Sequence, residues 1–164
     1  MREITYDREA AVEYAKSWAF LRNPNYLNFD NYGGDCTNFV SQCIFAGCKA
    51  MNYTPIYGWY YNSSYDRTAS WTGVEYLYNF HVNNTGIVPR GIDTSRENIQ
   101  PGDIIQLGDR NNHFYHSPIV VAINQYEIFI AAHTFDAYMK PLSSYNYSNI
   151  RYIHILDNLK KNTT

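Results

Sequence analysis

The chain has little net charge, few cysteines and no long apolar run, and each shortage closes off a class of protein. Its 164 residues carry 13 Lys and Arg against 15 Asp and Glu, a formal charge of -2. That balance excludes a broad basic footprint for nucleic acid or for an anionic membrane. No stretch approaches the roughly 18 consecutive apolar residues of a membrane-spanning helix, so no membrane insertion is expected. The opening Met1-Arg2-Glu3-Ile4-Thr5-Tyr6 lacks the apolar core of a signal peptide. Export would have to be encoded in a segment outside this sequence. Cys36, Cys43 and Cys48 are an odd number within one short segment and form no C-x-x-C pair. Neither a disulfide framework nor a structural zinc site is therefore expected. G-x-S-x-G, P-loop and dinucleotide-binding glycine patterns are missing as well. No metal or organic cofactor is expected.

What is present is a globular composition, with 45% hydrophobic and 17% charged residues. A chain of this length suits one domain over residues 1–164, expected to be monomeric. Aromatics reach 17%, and 17 of them are tyrosines. Many gather mid-chain as Tyr53, Tyr57, Trp59, Tyr60, Tyr61, Tyr65 and Trp71. Such rings suit a glycan or peptide surface, and they also fill cores; the composition leaves both open.

The order of elements suggests helices followed by strands. Asp7 can cap a helix running to about Arg22, and Ser70 one over residues 71–82. Residues 103–107, 115–123, 128–133 and 149–156 read as strands, the second broken near its start by Pro118. Asn124 to Glu127 reads as the turn of a hairpin. Helices before strands predict α+β with an antiparallel sheet.

One stretch organises the rest: Asn31-Tyr32-Gly33-Gly34-Asp35-Cys36-Thr37-Asn38-Phe39-Val40-Ser41-Gln42. Two glycines permit a tight turn. Asp35 and Thr37 then offer capping oxygens. Cys36, Phe39, Val40, Cys43 and Ile44 recur at helical spacing, and Gly47 marks the end. Cys36 thus falls in the first turn, where the helix dipole and free amides favour an anion. That predicts a lowered thiol pKa and a place for an oxyanion. The competing reading is a small buried hydrophobe, the commonest fate of a free cysteine.

A cysteine nucleophile needs a base, and the base an orienting group. Of the five histidines, His81 and His154 read as structural, and His113 and His116 point to opposite strand faces. A turn centred near residues 124–126 sets His116 opposite His133 or Thr134. His133 is then the expected cross-strand neighbour of His116, with Asp136 in reserve as orienter.

The stretch Gly33 to Gln42 resembles the cysteine motif of the bacterial putative amidase domain family. That family is similar to the CHAP and NlpC-type cell-wall hydrolases of the papain-like superfamily. Gln100-Pro101-Gly102-Asp103-Ile104-Ile105-Gln106, His116-Ser117-Pro118-Ile119-Val120-Val121, Ala132-His133-Thr134 and Ser70-Trp71 agree with it. The resemblance spans residues 7–156. It implies a papain-like α+β fold with the catalytic cysteine at a helix N-terminus packed on the sheet. It implies Cys36 as nucleophile, His116 as base and a polar third residue where His133 falls. The papain signature C-G-[SA]-C-[WY] is absent.

The expected activity is hydrolysis of an amide, with a peptidoglycan-like peptide or another amide as the expected substrate. Backbone N–H groups near Cys36, helped by Asp35 or Tyr32, would steady the oxyanion. Two alternatives remain at this level: a non-catalytic aromatic-rich glycan- or peptide-binding module, and an acyltransferase using the same residues.

Overall fold

A computed structural model describes residues 1–163. In chain order its helices and strands are β1 (Arg2–Thr5), α1 (Arg8–Trp18), α2 (Cys36–Cys48), β2 (Tyr61–Ser63), β3 (Asp66–Arg67), α3 (Ala69–Thr72) and α4 (Val74–Asn83). There follow β4 (Gly91–Thr94), β5 (Ile104–Gly108), β6 (Phe114–His116), β7 (Ile119–Ile123), β8 (Ile128–Ala132), β9 (Ala137–Pro141), β10 (Asn149–Ile155) and β11 (Asn158–Lys161). The architecture is α+β, and every described strand pairing is antiparallel.

The main sheet has seven strands in the order β4-β10-β5-β7-β8-β9, with β6 beside β5. Successive side chains along a strand face opposite sides, so β5 feeds two cores. Ile104 joins Ile119, Ala131 and Ile153 under the helices, against Ala11, Ala15, Phe39, Val40 and Ile44. Ile105 and Leu107 join Val120, Ile130 and Leu142 on the other face. α1 and α2 lie together on the first face, and their apolar stripes are what the sheet buries there.

β6 and β7 both pair with β5, and the chain between them is Ser117-Pro118. Pro118 has no N–H to give a ladder, so the strand breaks there, as its sequence predicts.

Several boundaries differ from the sequence reading. A strand, β1, precedes the first helix and pairs with β11 at the far end of the chain. α1 begins under its Asp7 cap, which accepts from the Ala10 amide at 3.0 Å, but it stops at Trp18. The helix expected over 71–82 is two, parted at Gly73, and Ser70 lies inside the first, bonded to the Gly58 carbonyl. α2 runs past Gly47 to Cys48 and closes on Lys49 at φ 53°. Gly47 serves close packing instead, since a Cβ there would lie 2.4 Å from Tyr6 Cε1 and 2.8 Å from the Asp7 carbonyl.

Candidate active site

The loop into α2 takes the course that its glycines allow. Gly33 and Gly34 sit at φ +96° and +103°, and the chain then turns into Cys36, the first residue of the helix. Two tryptophans fix the helix from below. Trp71 Nε1 donates to Asn38 Oδ1 and Trp59 Nε1 to Ser41 Oγ, each at 3.1 Å. The mid-chain aromatics therefore divide: Trp59, Trp71 and Tyr61 are core, whereas Tyr53, Tyr57 and Tyr65 are exposed.

Asp35 precedes the helix but does not cap it. Its carboxylate accepts from the Phe29 amide at 2.8 Å, from Asn38 Nδ2 at 2.9 Å and from His133 Nδ1 at 2.5 Å. Burial pushes its pKa up, but those donors outweigh burial and hold it below the ordinary carboxylate value. The group expected to help an oxyanion is instead 1% exposed and fully engaged. Its diversion leaves the first amides of α2 without a side-chain cap.

His133 is also 1% exposed. Its Nδ1 faces Asp35, and its Nε2 faces the Trp18 carbonyl at 2.7 Å. Arg22 Nη1 also lies 3.2 Å from Nε2, so partners hold the ring at both nitrogens. It stacks on Phe39 with centroids 3.9 Å apart. The expected cross-strand contact with His116 is therefore not made. β8 ends at Ala132, and Thr134 and Phe135 turn away at φ 54° and 61°. β6 pairs with β5 and not with β8.

Asp136, the reserve orienter, is held by Arg22. The guanidinium donates to both Asp136 oxygens at 2.8 and 3.0 Å and to Asp30 at 2.9 Å. Its Nε lies 3.6 Å from Asp35. One arginine thus gathers the end of α1, the loop before α2 and the turn after β8. Tyr32, on that loop, is 71% exposed and its hydroxyl takes no part.

Cys36 is 7% exposed. Burial pushes its thiol pKa up, and Asp35 adds to the rise. The Ser117 amide and Thr37 pull it down without cancelling burial. The lowered value expected from the helix N-terminus is thus reversed in the resting structure, because desolvation exceeds the dipole. Cys43 and Cys48 are buried deeper, and Cys48 is pushed up to about 12.

His116 sits opposite Leu107 on β5 and shares its face, with the Tyr145 ring 5.8 Å away. Burial, then Lys140, lowers its pKa to about 4. No hydrogen bond joins it to Cys36 among the described residues. Only the backbone brings the two close: the Ser117 amide beside the sulfur is bonded to the His116 carbonyl carbon, while the His116 ring lies on the Leu107 face of the sheet, away from α2. Apo sites often hold such pairs apart until substrate arrives.

Sequence reading missed Arg22 and Gln106, and it gave Thr37 a capping role where the structure sets its hydroxyl between Cys36 and Ser117. Arg22 gives no signal in the sequence. Gln106 does: it is the one polar residue in Ile104-Ile105-Gln106-Leu107, a strand buried throughout. Among the described residues no cluster of His, Cys, Asp and Glu could hold a metal. No described helix is long and apolar enough to cross a membrane.

A family model described as a putative amidase domain matches residues 5–156. The chain is 36% identical to the uncharacterized protein YhbB of Bacillus subtilis over 172 aligned positions, covering 98% of this chain and 53% of that protein. It is 24% identical to the uncharacterized protein YjcM of the same organism over 137 positions, covering 79% of this chain and 31% of that one. The chain thus spans about half the length of one relative and under a third of the other. No solved structure matches it.

Proposed function

Because this chain belongs to the putative amidase domain family, whose description points to amide hydrolysis, we propose that it is a cysteine-dependent amidase with a papain-like arrangement. The observation that carries the proposal is the position of Cys36. It opens α2, beside uncapped helix amides and against the Ser117 amide, one peptide bond from His116.

The chemistry follows from those groups. His116, neutral near pH 7 with its pKa near 4, accepts the thiol proton once its ring has swung from the Leu107 face to the sulfur. With the thiol pKa raised and that of the imidazole lowered, no stable ion pair precedes attack; the proton moves as the sulfur meets the carbonyl. Sγ adds to the amide carbon, and the oxygen takes negative charge facing the first N–H groups of α2. His116 returns its proton to the leaving nitrogen. Water then attacks the thioester, giving an acid and the free thiol. His133 and Asp35 hold the loop that presents Cys36 and do not touch the reacting atoms.

The substrate class proposed is a peptide amide of the bacterial cell wall. It is supported by the resemblance of the cysteine motif and by exposed Tyr32 and Phe135 on the two loops that Arg22 ties beside the nucleophile. Incubation with purified peptidoglycan and mass spectrometry of the released fragments is the test. The wild type should release peptide-bearing fragments and Cys36→Ala none, with an unchanged circular dichroism spectrum. Release by the alanine variant within a few-fold of wild type rejects the nucleophile.

A further inference from the structure

Beneath Cys36 lies a chain of side chains that the reaction scheme leaves unused. Cys36 Sγ is 3.8 Å from Thr37 Oγ1, a long contact of the kind sulfur makes. Thr37 Oγ1 is 3.2 Å from Ser117 Oγ, and Ser117 Oγ is 3.0 Å from Gln106 Nε2. Thr37, Ser117 and Gln106 are all buried, at 1%, 0% and 0% exposure.

The direction of the chain is set at its far end. Gln106 Oε1 accepts from Arg151 Nε at 2.8 Å, and Gln106 Nε2 donates to the Val74 carbonyl at 2.9 Å. These two contacts fix which end of the amide is nitrogen, so Nε2 can only donate to Ser117. Besides this donor, Ser117 Oγ has Thr37 Oγ1 as its one partner among the described residues, and so as its one acceptor. If Thr37 donates to Ser117, the Ser117 hydrogen is left buried without an acceptor, a costly state. If Ser117 donates to Thr37, each hydrogen finds an acceptor and the Thr37 hydrogen points at the sulfur. A thiol can give its own hydrogen to Thr37 and oppose this order. A thiolate cannot, so the satisfied arrangement belongs to the thiolate.

We propose that Gln106, Ser117 and Thr37 form a one-way hydrogen-bond relay, anchored by Arg151, that ends on Cys36 Sγ and stabilises the thiolate formed during reaction. Thr37, Ser117 and Gln106 are positioning residues; none reaches the substrate. The charged and titratable groups around the sulfur are few. Asp35 precedes it, with His133 and Arg22 behind Asp35, and His116 stands beside Ser117. Asp35 opposes a thiolate, which leaves the relay and the Ser117 and Thr37 amides as the compensating donors.

The inference rests on Cys36 being the reacting thiol, but its test needs no substrate. The rate of iodoacetamide alkylation at Cys36, read by mass spectrometry of its peptide against pH, gives the midpoint of thiolate formation. Hydrogen bonds to a charged group are strong enough that losing one should raise this midpoint by about one pH unit. Thr37→Val, equal in shape, should do so, and Thr37→Ser should return it to the wild-type value. Ser117→Ala keeps the backbone amide and should also raise the midpoint. The double variant should exceed neither single by more than a few tenths of a unit. A midpoint unmoved by Thr37→Val, or moved by Thr37→Val and not by Ser117→Ala, overturns the relay. Failure of Thr37→Ser to restore it does the same. Release of peptidoglycan fragments by Cys36→Ala within a few-fold of wild type would instead sink the cysteine mechanism itself, which is a separate result.

Discussion

At Cys36 and His116 the protein sets two side chains in states that each resist the chemistry asked of them. The thiol is held protonated by burial and by Asp35, and the imidazole is held neutral by burial and by Lys140. A neutral base and an undissociated thiol are one proton transfer away from reaction once the ring reaches the sulfur. Removing the base should therefore cost about 10² to 10⁴ in turnover, the usual range for positioned proton transfer. His116→Ala should show that loss, and the double variant with Cys36→Ala should be no worse than Cys36→Ala alone, since the pair acts as a unit. Additive losses would separate their roles. Activity should persist on the acid side to near pH 4, where His116 gains its proton, and not fail near the ordinary 6.5. A pH–rate profile of the purified enzyme reads that limb directly.

At the scale of elements, the ion-pair cluster around Arg22 joins three segments that share no secondary structure. Asp35 stands at its buried end, with His133 bonded to it and Arg22 as its counter-charge. Removing one partner of a buried pair leaves the other unpaired and costs about 3 to 5 kcal/mol. Asp35→Ala should accordingly lower the melting temperature by roughly 10 °C for a chain of this size. His133→Ala should lose stability together with turnover, because it acts through Asp35 and the loop carrying Cys36. A His133→Ala variant with wild-type melting and a pure loss in kcat would return this histidine to the reaction. Asp136→Asn, on the partly exposed side of Arg22, should cost about 1 kcal/mol or less.

The same elements show what a linear reading can reach. The helix at Cys36 and the hairpin of β7 and β8 were legible because their signals are local: a glycine pair, a 3.6-residue stripe, a run of β-branched residues, a turn at Asn124. The contact between Asp35 and His133 spans 98 positions and has no local signal. The placement of His133 against His116 assumed that the hairpin ladder continues past Pro118. It stops at Ile119 and Ala131, and the chain beyond pairs elsewhere. β4, β9 and β11 were missed for a related reason. Ala137-Tyr138-Met139-Lys140-Pro141 shows little alternation, and these strands are strands because their neighbours pair with them.

Over the whole molecule, two histidines set the response to acid. His81, buried and bonded to the Leu77 carbonyl, is lowered to about 4 by burial, as is His116. Unfolded, both rings would titrate near 6.5, so the unfolded chain binds more protons between pH 6.5 and 4. Stability is therefore full above pH 6.5 and falls as pH drops toward 4. The loss reaches about 3 kcal/mol for His81 alone. Urea titrations across that range should show the midpoint declining, with a shallower decline in His81→Phe. A midpoint flat from pH 7 to 4 would mean that folding lowers the pKa of neither ring.

β1 and β11 put the two ends of the chain side by side, Arg2 against Lys161 at the outer end and Thr5 against Asn158 at the inner. A pull on the two ends meets this ribbon edge-on. It loads the outermost rung first, then the next, each bond broken singly, where a sheared ribbon would share the load among all four. Tension would thus peel β1 and β11 from each other at low force while leaving the seven-stranded sheet, which neither strand joins, to bear load only after the peel is complete. The cysteine site, seated on that sheet, is mechanically shielded from whatever tugs at the chain's ends.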